Sequence, residues 1–594
     1  MRLLERSNSW LANHSRWAGA LLCLLTFLVF AGTLAGQFVF DDIPQVLENP
    51  FVSNPSFWRR IFLGSVWSFR GAGEHDNFYR PLQFLTYWLL YRAGGPNPAL
   101  FHLFQLLLCA VSVWLVYRLG RELLGNDLAA FAGALLWGLH PQRVETVAWV
   151  SALPDAGAAC FSLLGFLLFL RAERAADARH RHYALAALAY FPALFFKESA
   201  LSFPLLVLVY WFFLPGDSTW KHKAMRWLPF AAAVAVYLTI RISILGGFSQ
   251  GPEALKITRQ MFAAAFGLLG QHAKLFFWPV HLSAFRVFEL TPSLHSLWPW
   301  LALLVLAIAL LARRREPILG FLVFWWVVTL LPCLDVRMVS FPVADRFSYL
   351  PSVGLSLALA YLCLARLPQL LPPAKLAPGL AGLLALGSIA YGVQDVRLVP
   401  TWRNNEALWT YSLHASPNAA LVRLFQATLL RTRDGNLDGA AEEYRTALRL
   451  NAASVRPLAG VTYECYLGLG QIALMRGRTA QAINYYEDAV RLAPHHSPAY
   501  KSLGATYFPR GDYKKAAEYF TVAVRLNPQD VESRFFLGTC ALKLGEPRQA
   551  AAQFRAARQV DPTYIEAYEA EAQALEAAGD AAEAARVRAL VAKR

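Results

Sequence analysis

At 594 residues the chain could hold three or four soluble domains, yet 56% of it is hydrophobic, its mean hydropathy is +0.35 and only 16% is charged, against roughly 25% in soluble proteins. The net charge of +16 would suit nucleic acid. However, the basic residues sit in short loops between apolar runs and no zinc-finger, RRM or KH signature is present, so the surplus reads as positive-inside membrane topology and no nucleic-acid partner is expected. Charged residues are sparse before about residue 400 and dense after it, which places two parts of the chain in different solvents.

The N-terminus carries Arg2, Arg6 and Arg16 ahead of an apolar stretch. No A-x-A-like cleavage site follows, so the stretch is expected to stay as an uncleaved first membrane helix. Apolar runs able to span a bilayer, some only inside a bundle, follow at about 17–36, 98–119, 126–140, 146–170, 183–197, 199–214, 227–245, 297–312, 317–332, 349–366 and 378–394. With the N-terminus in the cytoplasm, the inner loops hold Arg118/Arg121, Arg171/Arg174/Arg179/Arg181, Lys221/Lys223/Arg226, Arg313/Arg314/Arg315 and Arg366/Lys375. All are basic, so about 11 spans are expected, with everything after residue 395 outside. Two outer loops are long, 37–97 and 246–296, and each contains apolar stretches suited to lying along the membrane surface. Whether 261–280 spans is left open by the sequence. Of the seven cysteines (Cys23, Cys109, Cys160, Cys333, Cys363, Cys465, Cys540), none forms a CxxC pair, and neither a disulfide framework nor a metal site is indicated.

The tail is a repeat array. Pro494, Pro528 and Pro562 recur every 34 residues, and in step with them run Gly470/Gly504/Gly538, Ala482/Ala516/Ala550 and Tyr486/Phe520/Phe554. Small residues where two helices cross, an aromatic filling the groove and a proline ending the second helix make the tetratricopeptide-repeat (TPR) pattern. Gly435, Ala440, Tyr444 and Ala447 supply an earlier unit, displaced by an eight-residue insertion near 455–462, and the Ala/Glu-rich stretch 565–594 reads as a solvent-facing cap. Two domains are expected: 1–395 in the membrane and 396–594, a TPR solenoid outside it.

Chemistry-bearing residues gather at the outer level of the membrane part. Asp41 and Asp42 form an acidic pair directly after the first membrane helix, where a carboxylate can act as general base toward a hydroxyl while a second substrate stays in lipid. Arg80, His140, Glu145, Lys197, Glu198, Asp345, Arg346 and Tyr349 lie at the same level. Lys197 and Glu198 stand between two apolar runs, where ionisable groups are costly and point to function. Arg80 and Arg346 could grip phosphate by forked hydrogen bonds. Singly, each residue also fits a surface anchor or structural ion pair, but together they offer carboxylates and several cations, as a lipid-phosphate leaving group requires. No P-loop, HExxH, GxSxG or GxGxxG in strand–helix context is present, so ATP-driven transport and soluble-type hydrolysis lack support.

The ordered segments FVFDDIPQVLENPFV (38–52), YRPL (79–82), HPQRVETVAWVSALPD (140–155), FKES (196–199), FFWPVHLSAF (276–285) and DRFSYLPSVG (345–354), followed by TPRs, resemble bacterial relatives of the transmembrane and tetratricopeptide-repeat-containing O-mannosyltransferases. The resemblance implies an all-α chain: a polytopic GT-C glycosyltransferase helix bundle followed by a TPR α-solenoid. It implies a polyprenyl-phosphate-linked sugar as donor, Asp41 as the base with Asp42 as its neighbour, and Arg80, His140, Lys197 and Arg346 around the donor phosphate. Glu145, Glu198, Asp345 and Tyr349 would support them. The chain departs from the pattern at Leu153, where many bacterial relatives carry a basic residue, so no sugar identity follows. The expected function is sugar transfer to a hydroxyl of an exported protein at a bacterial inner membrane, without an indicated metal, the TPR domain binding the acceptor. A lipid or surface-glycan acceptor, or a non-catalytic TPR scaffold for envelope or pilus assembly, stands as the alternative.

Overall fold

A computed structural model of the chain describes residues 2–70, 77–175, 180–216, 218–247, 259–287, 295–334, 343–370, 376–454 and 457–592. Arg179 and Lys375 of the inner loops, parts of the second outer loop (248–258 and 288–294) and two residues of the repeat insertion (455–456) lie outside them. Every regular element among the described residues is helical, as the composition requires. Two compact units emerge, one running to Pro417 apart from a short segment after Val66, the other from Asn418 onward.

In the first unit each of the eleven apolar runs coincides with a helix. Six stretches are long and apolar enough to cross a bilayer: Ser15–Ala35, Pro98–Leu124, Val150–Arg174, Trp220–Leu245, Ser352–Leu370 and Pro378–Trp402. Asp127–Gly138, Glu198–Phe213, Leu297–Leu311 and Pro317–Cys333 are apolar but shorter. The chain is therefore a multi-pass membrane protein. Local signals set the boundaries. Asn97 caps the Pro98–Leu124 helix by accepting from Ala99 N–H at 3.1 Å, with proline at the first helical position. Gly125 then stops the helix in a left-handed turn (φ 61°), and Asn126 caps the next helix through Ala129 N–H at 2.9 Å.

Lipid gives helices no hydrophobic reason to associate, so close packing by small residues does that work. A Cβ on Gly165 would come within 2.7 Å of Tyr190, and it is here that the Leu153–Arg174 and His180–Phe196 helices cross. Around this contact Phe166, Phe169, Phe203, Trp211, Phe321 and Trp325 are all buried. The Pro378–Trp402 stretch lies at the other extreme, with Leu383, Leu386 and Ile389 exposed as lipid-facing apolar surface. The first outer loop folds into short helices (Pro50–Ser53, Pro55–Phe62) and one of 14 residues, Pro81–Gly94. Much of the second is the helix Arg259–Phe277.

The second unit is five helix pairs, from Ala420–Thr432 with Leu437–Ala452 to Ile565–Ala577 with Ala581–Ala592. The aligned glycines do what the period demands. A Cβ at Gly470, Gly504 or Gly538 would come within 2.4, 2.9 or 2.8 Å of the ring of Tyr486, Phe520 or Phe554. The turn glycines confirm the insertion, since Gly435 precedes Gly477 by 42 residues and later turns recur every 34.

Candidate active site

The site begins where the first membrane helix ends. After the short turn Ala31–Ala35 the chain runs extended; Gln37 N–H donates to the Arg403 carbonyl at 2.8 Å, and Phe38 meets Phe101 edge-on at 5.2 Å. At Phe40 the backbone turns left-handed, φ 51°, a conformation that non-glycine residues rarely adopt and that surrounding structure must enforce. Here Phe40 N–H donates to Asn405 Oδ1 at 2.8 Å, and its ring packs among Trp149, Phe285 and Trp409 at 5.3–5.8 Å.

Beyond this turn the two carboxylates diverge: Asp41 is half-buried and Asp42 fully buried. Asp42 Oδ2 accepts Val39 N–H at 3.1 Å, while Oδ1 accepts Ser151 N–H at 2.7 Å and Ser151 Oγ–H at 2.6 Å. Burial pushes Asp42 up to about 7, although the Ser151 and Val39 hydrogen bonds pull the other way. Asp42 thus ties the loop to the approach of the Leu153–Arg174 helix, and Asp41 is the carboxylate placed toward solvent. Leu153 itself is buried at the start of that helix.

Each of the predicted cations other than His140 carries a carboxylate partner. Arg80 forks onto Glu198 Oε2 through Nε (3.0 Å) and Nη2 (2.9 Å), while Glu198 Oε1 accepts Tyr79 N–H at 3.2 Å. Arg346 is paired with Glu145 through its side chain, and its N–H donates to Glu145 Oε2 at 3.1 Å. Lys197 is paired not with its neighbour Glu198 but with Asp155. The reason is local: Lys197 is extended (φ −155°, ψ 139°), so consecutive side chains point opposite ways. A further pair joins Asp345 to Arg286 at 2.8 and 3.3 Å.

These pairs form one neighbourhood. The Lys197 ammonium and the Arg346 guanidinium each lie 4.8 Å from the same Phe347 ring, and Arg346 also stacks over Trp149 at 5.0 Å. Asp155 acts electrostatically on Arg80 and Arg346, and Asp41 acts on Arg346. Both guanidiniums keep N–H donors beyond those committed to carboxylates, since each has five.

His140 and Tyr349 are held among aromatic rings. His140 is buried and stacks flat on Phe276 (5.1 Å, 4°); its Nε2 lies 2.9 Å from the Phe276 carbonyl, and Nδ1 is 3.3 Å from Gln142 N–H. That is the tautomer with the proton on Nε2. Tyr349 is buried as well. Its carbonyl accepts from Trp137 Nε1 and Arg143 Nη1, each at 2.9 Å, and its ring lies 4.9 Å from the Arg143 guanidinium.

The residues not anticipated are the partners: Ser151, Asp155, Arg286 and the buried Arg143. A lysine between two apolar runs demands a carboxylate nearby, and Asp155, in the first turn of an apolar helix, was the available signal. Nothing comparable marks Arg143, which spends its charge on carbonyls and Ser352 Oγ (2.7 Å).

Comparison with known proteins agrees with both units. Residues 467–531 and 507–570 match models described as Tetratricopeptide repeat. A protein O-mannosyl-transferase of Drosophila melanogaster is 37% identical over 155 residues, covering 26% of this chain and 16% of that protein. One from Caenorhabditis elegans is 23% identical over 457 residues, covering 73% of this chain and 62% of that protein. The chain therefore spans less than two thirds of these relatives. Among solved structures, the crystal structure of MamA protein is 23% identical, with a TM-score of 0.25, covering 29% of this chain and 88% of that one. The resemblance carried by the ordered motifs thus stands: the chain is a relative of the protein O-mannosyl-transferases.

Proposed function

We propose that the chain is a GT-C glycosyltransferase that moves a sugar from a polyprenyl-phosphate donor to a hydroxyl of an exported protein. The observation that supports the proposal is a half-buried carboxylate, Asp41, within electrostatic reach of Arg346, on which Asp155, the partner of Lys197, also acts as it does on Arg80. Asp41 takes the acceptor's proton as its oxygen attacks the anomeric carbon. The bond from that carbon to the donor phosphate breaks, and the departing phosphate takes the spare N–H donors of Arg80 and Arg346 with Lys197 behind them. A single displacement inverts the anomeric carbon. Asp42 holds the loop so that Asp41 keeps its aim, and His140 belongs to the wall behind the phosphate.

In this reading residues 1–395 perform the chemistry in about 11 spans, with the N-terminus cytoplasmic. Residues 396–594 lie outside a bacterial inner membrane and hold the acceptor, an extended segment suiting a solenoid surface. The test is mass spectrometry of exported proteins from wild-type and deletion strains: hexose-bearing serine or threonine peptides should disappear on deletion and return with the wild-type gene but not with Asp41→Asn. Unchanged glycopeptides in the deletion strain would refute the proposal.

A further inference from the structure

Asp41 lies past one end of the first membrane helix, and a second group of charges gathers around the other. A Cβ on Gly19 would come within 2.9 Å of the Trp114 indole, and Cys23 Sγ donates to the Ala110 carbonyl at 3.4 Å. The Ser15–Phe30 and Pro98–Leu124 helices are therefore antiparallel. Arg16 and Arg118 each stand about one turn from the Gly19–Trp114 contact, toward the same end. The Leu153–Arg174 helix ends there too, and here Arg118, Arg121, Arg171 and Arg174 meet two carboxylates. Arg121 pairs with Asp127, while Glu122 serves both Arg174 and, at 3.9 Å, Arg171. Glu173 is spent elsewhere, on Tyr183, Trp211 and Arg226. Arg118 has no carboxylate within ion-pairing distance among the described residues. Glu122 acts on it only from farther away, while Arg121 and Arg171 act on it as like charges. Its guanidinium lies 5.7 Å from the centre of the Trp114 ring. Four guanidiniums against two carboxylates leave two positive charges uncompensated at a membrane surface.

Apolar side chains lead up to these charges on both helices. Leu107, Val111 and Trp114 are 50%, 46% and 37% exposed, and their spacing of four and three residues puts them in one stripe that ends at Arg118. On the neighbouring helix the half-buried Phe161, Leu164 and Leu168 form a stripe that ends at the exposed Arg171. We propose that this end of the bundle binds an anionic phospholipid, its phosphate held by Arg118 with Arg121 and Arg171 beside it, its acyl chains lying along the two stripes. A guanidinium without a carboxylate keeps its full fork of N–H donors for phosphate oxygens. A zwitterionic headgroup brings its own cation and leaves the excess charge in place. Diffuse attraction of basic loops to an anionic leaflet requires no particular arginine, whereas this site requires Arg118. The site is independent of the chemistry at Asp41.

The test titrates the full chain in a neutral detergent with phosphatidylglycerol or with phosphatidylcholine of the same acyl chains, and native mass spectrometry counts the bound lipids. Wild type should hold phosphatidylglycerol about tenfold more tightly than phosphatidylcholine, as one charge-assisted headgroup contact provides. Arg118→Gln breaks no ion pair, so the fold should survive while most of that preference disappears. Adding Arg171→Gln should remove the rest. Arg314→Gln with Arg315→Gln takes two exposed charges from another inner loop and should leave the preference unchanged. Equal affinity of wild type for the two lipids would overturn the proposal. So would an equal loss in the Arg314 and Arg315 variant, which would replace the site with diffuse surface charge. Release of bound phosphatidylglycerol by millimolar inorganic phosphate would overturn the lipid assignment in favour of a free-anion site.

Discussion

Asp42→Asn should make the protein more stable above neutral pH and leave it near parity with wild type in acid. The folded carboxyl is pushed up to about 7 by burial, whereas in an unfolded chain it titrates near 4. A group raised on folding contributes stability that is fully present below the unfolded value and lost as pH rises through the folded one. Holding the proton about three pH units longer corresponds to something on the order of 4 kcal/mol across pH 4 to 7. Asparagine is the neutral shape of the same side chain. Like the protonated acid, it keeps two of the acceptor contacts to Ser151 N–H, Ser151 Oγ–H and Val39 N–H and sets a donor against the third. The two proteins should therefore differ little at pH 4.5, and the variant should lead by up to about 4 kcal/mol at pH 8. Paired unfolding midpoints in one detergent at both pH values measure this. Only the difference between variant and wild type is informative, because every other ionisable group is common to both. A variant less stable than wild type by the same margin at both pH values would show that Asp42 titrates normally and that its burial does not govern it.

Asp41→Asn should leave folding and donor-lipid binding intact while lowering transfer by about 10²–10⁴-fold; turnover near wild type by purified protein in nanodiscs would end the general-base assignment. Lys197→Met should destabilise by roughly 3–5 kcal/mol because Asp155, its side chain only 9% exposed, is left without its lysine. Adding Asp155→Leu should recover stability without recovering transfer, and a single variant as stable as wild type in thermal unfolding would contradict the pairing. In the repeats, Gly504→Val should cost about 1–3 kcal/mol, since a Cβ there meets the Phe520 ring at 2.9 Å. Gly460→Ala, with nothing within 4 Å, should be neutral or slightly stabilising, and limited proteolysis of the tail reads both. Alkaline phosphatase fused after residue 400 should be active, as the basic inner loops require; an inactive phosphatase with an active cytoplasmic reporter would reverse the topology.

The sequence alone determined the division into membrane and repeat parts, the helical runs and the 34-residue period. Each rests on composition or on spacing along one helix or one helix pair, where side-chain chemistry and local geometry suffice. Gly470 facing Tyr486 is such a case: the crowding repeats with the chain, so it is visible in the letters. The acidic pair after the first helix was visible too. Only the tertiary structure decided that Asp42 is buried and Asp41 half-exposed, because the left-handed turn at Phe40 is held by Asn405, 365 residues away. The same holds for the charge partners. Lys197 meets Asp155 across 42 residues, Arg286 meets Asp345 across 59, Arg80 meets Glu198 across 118 and Arg346 meets Glu145 across 201. Coulombic and hydrogen-bond energies depend on a few ångströms between side chains that only helix packing brings together, so no local pattern in the sequence records which carboxylate each cation will choose.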